Sequence, residues 1–264
     1  MDLLTVPTAT AFDAVSSLAS AGIYMIVALA ALAHAPRDPR VRVFFATAAA
    51  GVVPYCVTAQ IWAHGAGRTF SMRTSILLAF SLMIGSLALF HFTQVFPWRR
   101  PWIRTHGGKL PIAYLTVALL AVVAAVLLPA LDFTSIGEIH NVPDQSDAIV
   151  ALGLAAILIP IVFVLGVVVP FGGLLSLYNS WRAARAHGVD SARVTTWWML
   201  VSQMGGGVLT ILIIPLLRLV ASSGPWVAIA AALLFGSAVL MPVAFAVGVW
   251  KLGILELDID GLPQ

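Results

Sequence analysis

Few residues in this chain could do chemistry, and their types narrow what that chemistry would be. Gln60, His64, His91, Gln203 and Arg218 interrupt long apolar runs, and His140 and Asn141 lie in an acidic gap between two runs. An ionisable or amide side chain inside a membrane-length apolar segment is costly, which makes each of these a candidate functional group. Gln60, His64, His140, Gln203 and Arg218 are the candidate ligand or partner contacts. The runs contain no mid-segment Asp or Glu. That argues against proton pumping and ion-coupled transport, which commonly use such carboxylates. It also argues against a retinal protein, because Lys251 lies at the end of the last run with no carboxylate counter-ion in view.

No catalytic residue is expected. The chain lacks a G-x-S-G, a Glu-Glu pair and an H-E-x-x-H. Ser86 and His91 share one helix but are five residues apart, so they point to different faces. A haem would need histidines at matching depth on facing helices. His34, His91, His106 and His187 fall toward one side and His64 and His140 toward the other, and spacing dictates no pair. No metal site and no cofactor are predicted, although apolar outer faces could meet lipids, partner helices or pigments. The one cysteine, Cys56, allows no intrachain disulfide and is expected to be a small buried apolar residue.

These residues must be positioned by helices. The chain has 264 residues, of which 61% are hydrophobic and 9% charged, with mean hydropathy +1.01. Soluble domains carry about 25% charged residues. A bilayer core needs about 20 apolar residues of helix to cross it. Seven stretches qualify, at roughly 11–34, 41–63, 72–96, 110–131, 148–181, 192–221 and 225–254. They are too long for barrel strands of about 9–11 residues, and helices satisfy their own backbone polar groups in lipid. The expected fold is all-α: a polytopic integral membrane protein, one seven-helix bundle over residues 1–264. The polar gaps are too short to hold a soluble domain. The N-terminal segment, with Asp2 and Asp13 and no basic region, does not read as a cleaved signal peptide.

Charge sets the expected orientation. Arg37, Arg40 and Arg42 occupy the first gap, Arg99, Arg100, Arg104 and Lys109 the third, and Arg182, Arg185 and Arg193 the fifth, with Lys251 near the end. The opposite gaps hold Arg68 and Arg73 and the acidic Asp132, Glu138, Asp144 and Asp147. The positive-inside rule then puts the N-terminus outside and the C-terminus in the cytoplasm. The net charge of +3 has this topological explanation and does not point to nucleic acid. All eight tryptophans fall at or near the ends of the stretches, as rings that prefer the headgroup region do.

Prolines at 54, 160, 170, 215 and 242 are expected to kink or shape their helices. Gly172, Gly173 and Gly205 to Gly207 are expected to let helices approach closely. The stretch 148–181 is too long for a straight crossing and should tilt, kink and project past the basic face.

Two segments carry a family resemblance. "LALFHFTQVFPWRRPWI", Leu87 to Ile103, resembles a run in the seven-helix N-terminal membrane domain of bacterial sensor histidine kinases. "ARVTTWWMLVSQMGGG", followed by "MPVAFAVGVWKLGILELDID", resembles that family's sixth and seventh helices and terminal Asp-Ile-Asp. The resemblance implies a signal-receiving membrane module that passes its state to a cytoplasmic effector joined after the Asp-Ile-Asp. His91, Lys251, Asp258 and Asp260 become the candidate output region. Because the chain extends only four residues past Asp260, the effector is expected to be separate or missing.

The expectation is therefore a non-catalytic sensor or signal-transducing module in a bacterial inner membrane. Its partners would be membrane lipids and other membrane proteins or a cytoplasmic signalling protein. The alternative is an accessory subunit of a larger respiratory, photosynthetic or transport complex, descended from such a sensor. A small-molecule transporter ranks third.

Overall fold

Proline and short polar side chains start several of the helices. Asp38 accepts a hydrogen bond from the backbone N–H of Arg40 at 2.8 Å, and Pro39 occupies the first helical position. An Asp cap followed by proline suits a helix start, because the cap satisfies an orphan donor and proline has none to lose. Pro101 and Pro225 likewise open their helices, and Pro170 sits in the first turn of another.

The computed structural model describes residues 6–63, 72–106, 112, 114–117, 119, 164, 168–208 and 225–260. Among them all regular structure is helical. Helix α1 spans Val6–His34, α2 Pro39–Ala63, α3 Met72–Val95 and the short α4 Pro101–His106. Helix α5 spans Val169–Ala186, α6 Asp190–Val208 and α7 Pro225–Trp250, followed by a 3-10 turn at Ile254–Glu256. Two of these carry stretches long and apolar enough to cross a membrane, Ala14–His34 in α1 and Ala232–Trp250 in α7. A shorter apolar stretch, Met83–Val95, lies in α3.

The long helices pack in chain order. α1 lies on α2, α2 on α3, α3 on α5, α5 on α6 and α6 on α7, and α7 closes the ring on α1. Small residues set the close approaches. A Cβ at Gly172 would stand 3.1 Å from the Phe90 ring, and one at Gly206 would stand 3.3 Å from Ser237 Oγ. Hydroxyls join neighbouring helices: Thr47 donates to the Ala88 carbonyl, Ser176 to that of Thr93 and Ser202 to that of Ser237. Such bonds contribute modestly when the surroundings are apolar. Gly206 thus serves close packing of α6 on α7, as expected, whereas a Cβ at Gly205 would meet Ser237 at an ordinary contact distance of 3.8 Å.

Four phenylalanines with no exposed surface, Phe44, Phe92, Phe96 and Phe245, form one layer. Phe44 stacks on Phe245 with centroids 3.9 Å apart, and Phe92 meets Phe44 edge-on at 5.4 Å. The layer draws on α2, α3 and α7, so it fixes how these three helices cross.

The proline expectations divide. Pro54 and Pro242 lie inside α2 and α7. Pro170 instead opens α5, with π-helical geometry at Val164 and Val168 just before it. Pro160 and Pro215 lie outside the described residues. Cys56 departs from expectation: it is half-buried rather than buried. It lies three residues beyond the exposed Val53 on α2, a spacing that turns it toward the outer face.

Candidate functional site

Above the phenylalanine layer the packing opens. One to two turns further along α2 and α3, small residues replace large ones at Gly51, Gly85 and Ser86. Among the described residues no atom outside its own helix lies within 4 Å of where a Gly85 Cβ would be. The result is a cavity of about 310 Å³ between α1, α2, α3, α6 and α7. Tyr24, Thr47, Pro54, Tyr55, Leu89, Gln203 and Met241 complete its wall. Tyr24 bridges the two levels: its ring stacks on Phe44 below at 6.3 Å and faces Tyr55 at 6.2 Å. Gln203 donates from Nε2 to the Met241 sulfur at 2.9 Å, a weak acceptor that a better one would replace. A mostly apolar wall with a few convergent hydroxyl and amide groups suits a small, largely apolar guest carrying one or two hydrogen-bonding atoms.

Below the phenylalanine layer lies a clamp. Arg40, in the first turn of α2, is 2% exposed, and its guanidinium forks onto the Asp38 carboxylate at 2.7 Å. The same guanidinium donates to the carbonyls of Ile254 at 2.9 Å, Leu255 at 2.9 Å and Leu257 at 3.2 Å. A longer bond of 3.4 Å reaches the Pro97 carbonyl, beyond α3 and just after the cis Phe96–Pro97 bond. A buried cation is tolerable only when a counter-charge and acceptors surround it, and all are present here.

The clamp holds the chain after α7. Gly253, at φ 62°, provides the left-handed residue that turns it out of the helix. Ile254 is then fully buried in the core. Further on, the Arg99 N–H donates to the Ile259 carbonyl at 2.9 Å. Arg104 pairs with the Asp260 carboxylate at 3.2 Å and donates to its carbonyl at 2.9 Å. Residues 251–260 therefore lie strapped across the ends of α2, α3 and α4.

Of the candidate contacts, Gln203 lines the cavity. His64, His140 and Arg218 lie outside the described residues, and for Gln60 only the backbone, within α2, is described. Of the output candidates, Asp258 and Asp260 belong to the strap, where Asp258 Oδ1 caps the Asp260 N–H at 3.0 Å. Lys251 is exposed at its start. His91 sits apart, its Nδ1 3.5 Å from the Tyr114 hydroxyl. Ser86 and His91 do point apart, one into the cavity and the other toward Tyr114. Sequence reasoning missed Tyr24 and Tyr55 in the cavity and Arg40 in the clamp. For Arg40 a signal existed, since Asp-Pro-Arg reads as a capped helix start rather than a free loop charge. Among the described residues no three His, Cys, Asp or Glu side chains gather as a metal site would require.

No protein-family model, curated protein or solved structure matches this chain.

Proposed function

We propose that this chain is a seven-helix membrane sensor, with its N-terminus outside and its C-terminus in the cytoplasm. It is a non-catalytic module that takes up a small, largely apolar signal between its helices. It passes its state to a cytoplasmic effector through residues 251–260. The observation that carries this reading is the vertical order of the parts: cavity, phenylalanine layer, Arg40 clamp and strap. Tyr24 and the Phe44–Phe245 stack connect the first to the second. Phe96, one residue from the Pro97 carbonyl that Arg40 reaches, connects the second to the third.

Exposed apolar surface supports the membrane part. Only 22% and 33% of the residues in the spanning windows of α1 and α7 are buried. A core helix of a soluble protein would be mostly buried. Val15, Leu18, Ile26 and Leu29 on α1 instead present an apolar outer face, as lipid-facing helices do. The gathering of Arg40, Arg99, Arg100, Arg104 and Arg182 around the strap supports a cytoplasmic location for that end.

Co-purification from native bacterial inner membranes in mild detergent tests the reading. Recovery with a cytoplasmic kinase or regulator, lost in a variant lacking residues 254–260, is the expected result. Integral membrane partners at fixed ratio would instead make the chain an accessory subunit, and the function would be theirs.

A further inference from the structure

Beside the strap, the end of α3, α4 and the last two turns of α5 enclose a second cleft, of about 540 Å³. Arg99, Arg100, Arg104, Arg182 and His187 line it, together with Trp98. Arg100 is already engaged, donating to the Ser176 carbonyl at 2.7 Å and to Ser180 Oγ at 3.0 Å. Arg104 is engaged with Asp260. The side chains of Arg99 and Arg182 have no hydrogen-bond or ion-pair partner among the described residues. Four guanidinium groups around one concavity, with Asp260 the one carboxylate at its edge among the described residues, leave an excess of positive charge that an anion would relieve.

Helix α5 shows what kind of anion. Val168, Phe171, Leu175, Asn179, Arg182 and Ala186 are all exposed and spaced three or four apart, so they form one stripe along the helix. The stripe is apolar from Val168 to Leu175 and turns polar at Asn179 and Arg182, where it enters the cleft. That sequence of chemistry, hydrocarbon first and phosphate-binding cations at its end, matches a phospholipid lying along a helix. Trp98 in the cleft wall suits the headgroup depth.

We propose that this cleft binds the phosphate of an anionic phospholipid of the surrounding leaflet, with an acyl chain lying along the α5 stripe. Guanidinium forks hold phosphate oxygens well, and basic pockets between helices on the cytoplasmic side suit such headgroups. The proposal rests on the membrane reading given above. It does not rest on signalling.

The test uses the full chain reconstituted in nanodiscs of phosphatidylcholine containing a minority of phosphatidylglycerol, with retained lipid counted by native mass spectrometry. The wild type should retain phosphatidylglycerol in preference to phosphatidylcholine. Substituting Arg99→Gln or Arg182→Gln should weaken that preference about fivefold each, and the double variant about twenty-five-fold. The double variant R99K/R182K keeps the charge but loses the fork, so it should retain more of the preference than R99Q/R182Q, which separates lost binding from lost folding. Arg42→Gln removes a cation outside the cleft, where Arg42 Nε donates to the Pro36 carbonyl, and should change nothing.

Unchanged preference in the R99Q/R182Q variant, or an equal loss in R42Q, would overturn the proposal. So would displacement of the lipid by soluble glycerol 3-phosphate at equal concentration, which would make the site one for a free phosphate ester. A chain that stays in the aqueous phase and never enters the discs would overturn the membrane reading itself, and the lipid site with it.

Discussion

The cavity layer and the phenylalanine-and-clamp layer share α2, α3 and α7, and they solve opposite problems. In the clamp layer large side chains are closed off from solvent: Phe44, Phe92, Phe96 and Phe245 have no exposed surface, and Arg40 is almost wholly enclosed. In the cavity layer the same α2 and α3 present Gly51, Gly85 and Ser86, and about 310 Å³ stays open. The difference shows that the void is local, not a property of loose helices. A rigid floor under an open chamber is what a receptor needs if a guest is to strain something rather than merely fill space.

The contrast can be broken most severely at Arg40. Arg40→Met removes the guanidinium from the Asp38 carboxylate, which keeps only the backbone N–H of residue 40, and from the carbonyls of residues 254, 255 and 257. Removing one partner of a fully buried ion pair costs about 3–5 kcal/mol, and the partial exposure of Asp38 places this one at the lower end. Thermal unfolding in detergent should show the loss, and residues 254–260 should become accessible to protease.

Phe245→Ala comes next. Lipid is about as apolar as the protein core, so the transfer part of the usual cost is small and the void dominates. A void of about 100 Å³ costs roughly 2–3 kcal/mol. The melting temperature should fall, and Phe44, which stacks on Phe245, should gain freedom detectable in aromatic relaxation.

A pair of glycines sharpens the comparison. A Cβ at Gly248 would stand 2.8 Å from Thr195 Cγ2, whereas a Cβ at Gly85 meets nothing within 4 Å among the described residues. Gly248→Ala should therefore destabilise by about 1–3 kcal/mol through overpacking. Gly85→Ala should be neutral or gain up to about 1 kcal/mol, since alanine favours helix over glycine. Equal effects at the two positions would erase the distinction between the layers.

The smallest effect is expected at Arg104→Ala. Its ion pair with Asp260 is exposed on both sides, and such pairs contribute about 0–1 kcal/mol. Global stability should hardly move, while hydrogen exchange at residues 258–260 should quicken.

How much of this was legible beforehand differs between the layers for a physical reason. The helical class follows from composition, and the helix start at Pro225 from the bounds of the last apolar run, whereas the short helix opened by Pro101 lies in what reads as a polar gap. The identity of the cavity does not follow from the sequence. A helix that is apolar all round carries no stripe to mark its inner face, so Tyr24 and Tyr55 look like any aromatic in an apolar run. Arg40 looked like one cation among several because its acceptors lie more than two hundred residues away, in the carbonyls after α7. Main-chain acceptors leave no trace in residue type.

The central claim is that the cavity and the strap form one device. Hydrogen–deuterium exchange of residues 254–260, compared between the wild type and Gly85→Leu in lipid nanodiscs, tests it most directly. The leucine occupies the cavity as a guest would, at a position with open space around it. If the layers are coupled, exchange in the strap should change by about fivefold or more, the low end of coupling between linked sites. A strap that exchanges identically in both proteins, while amides around Ser86 and Gln203 respond, would contradict the account and leave the cavity and the C-terminal segment as independent features.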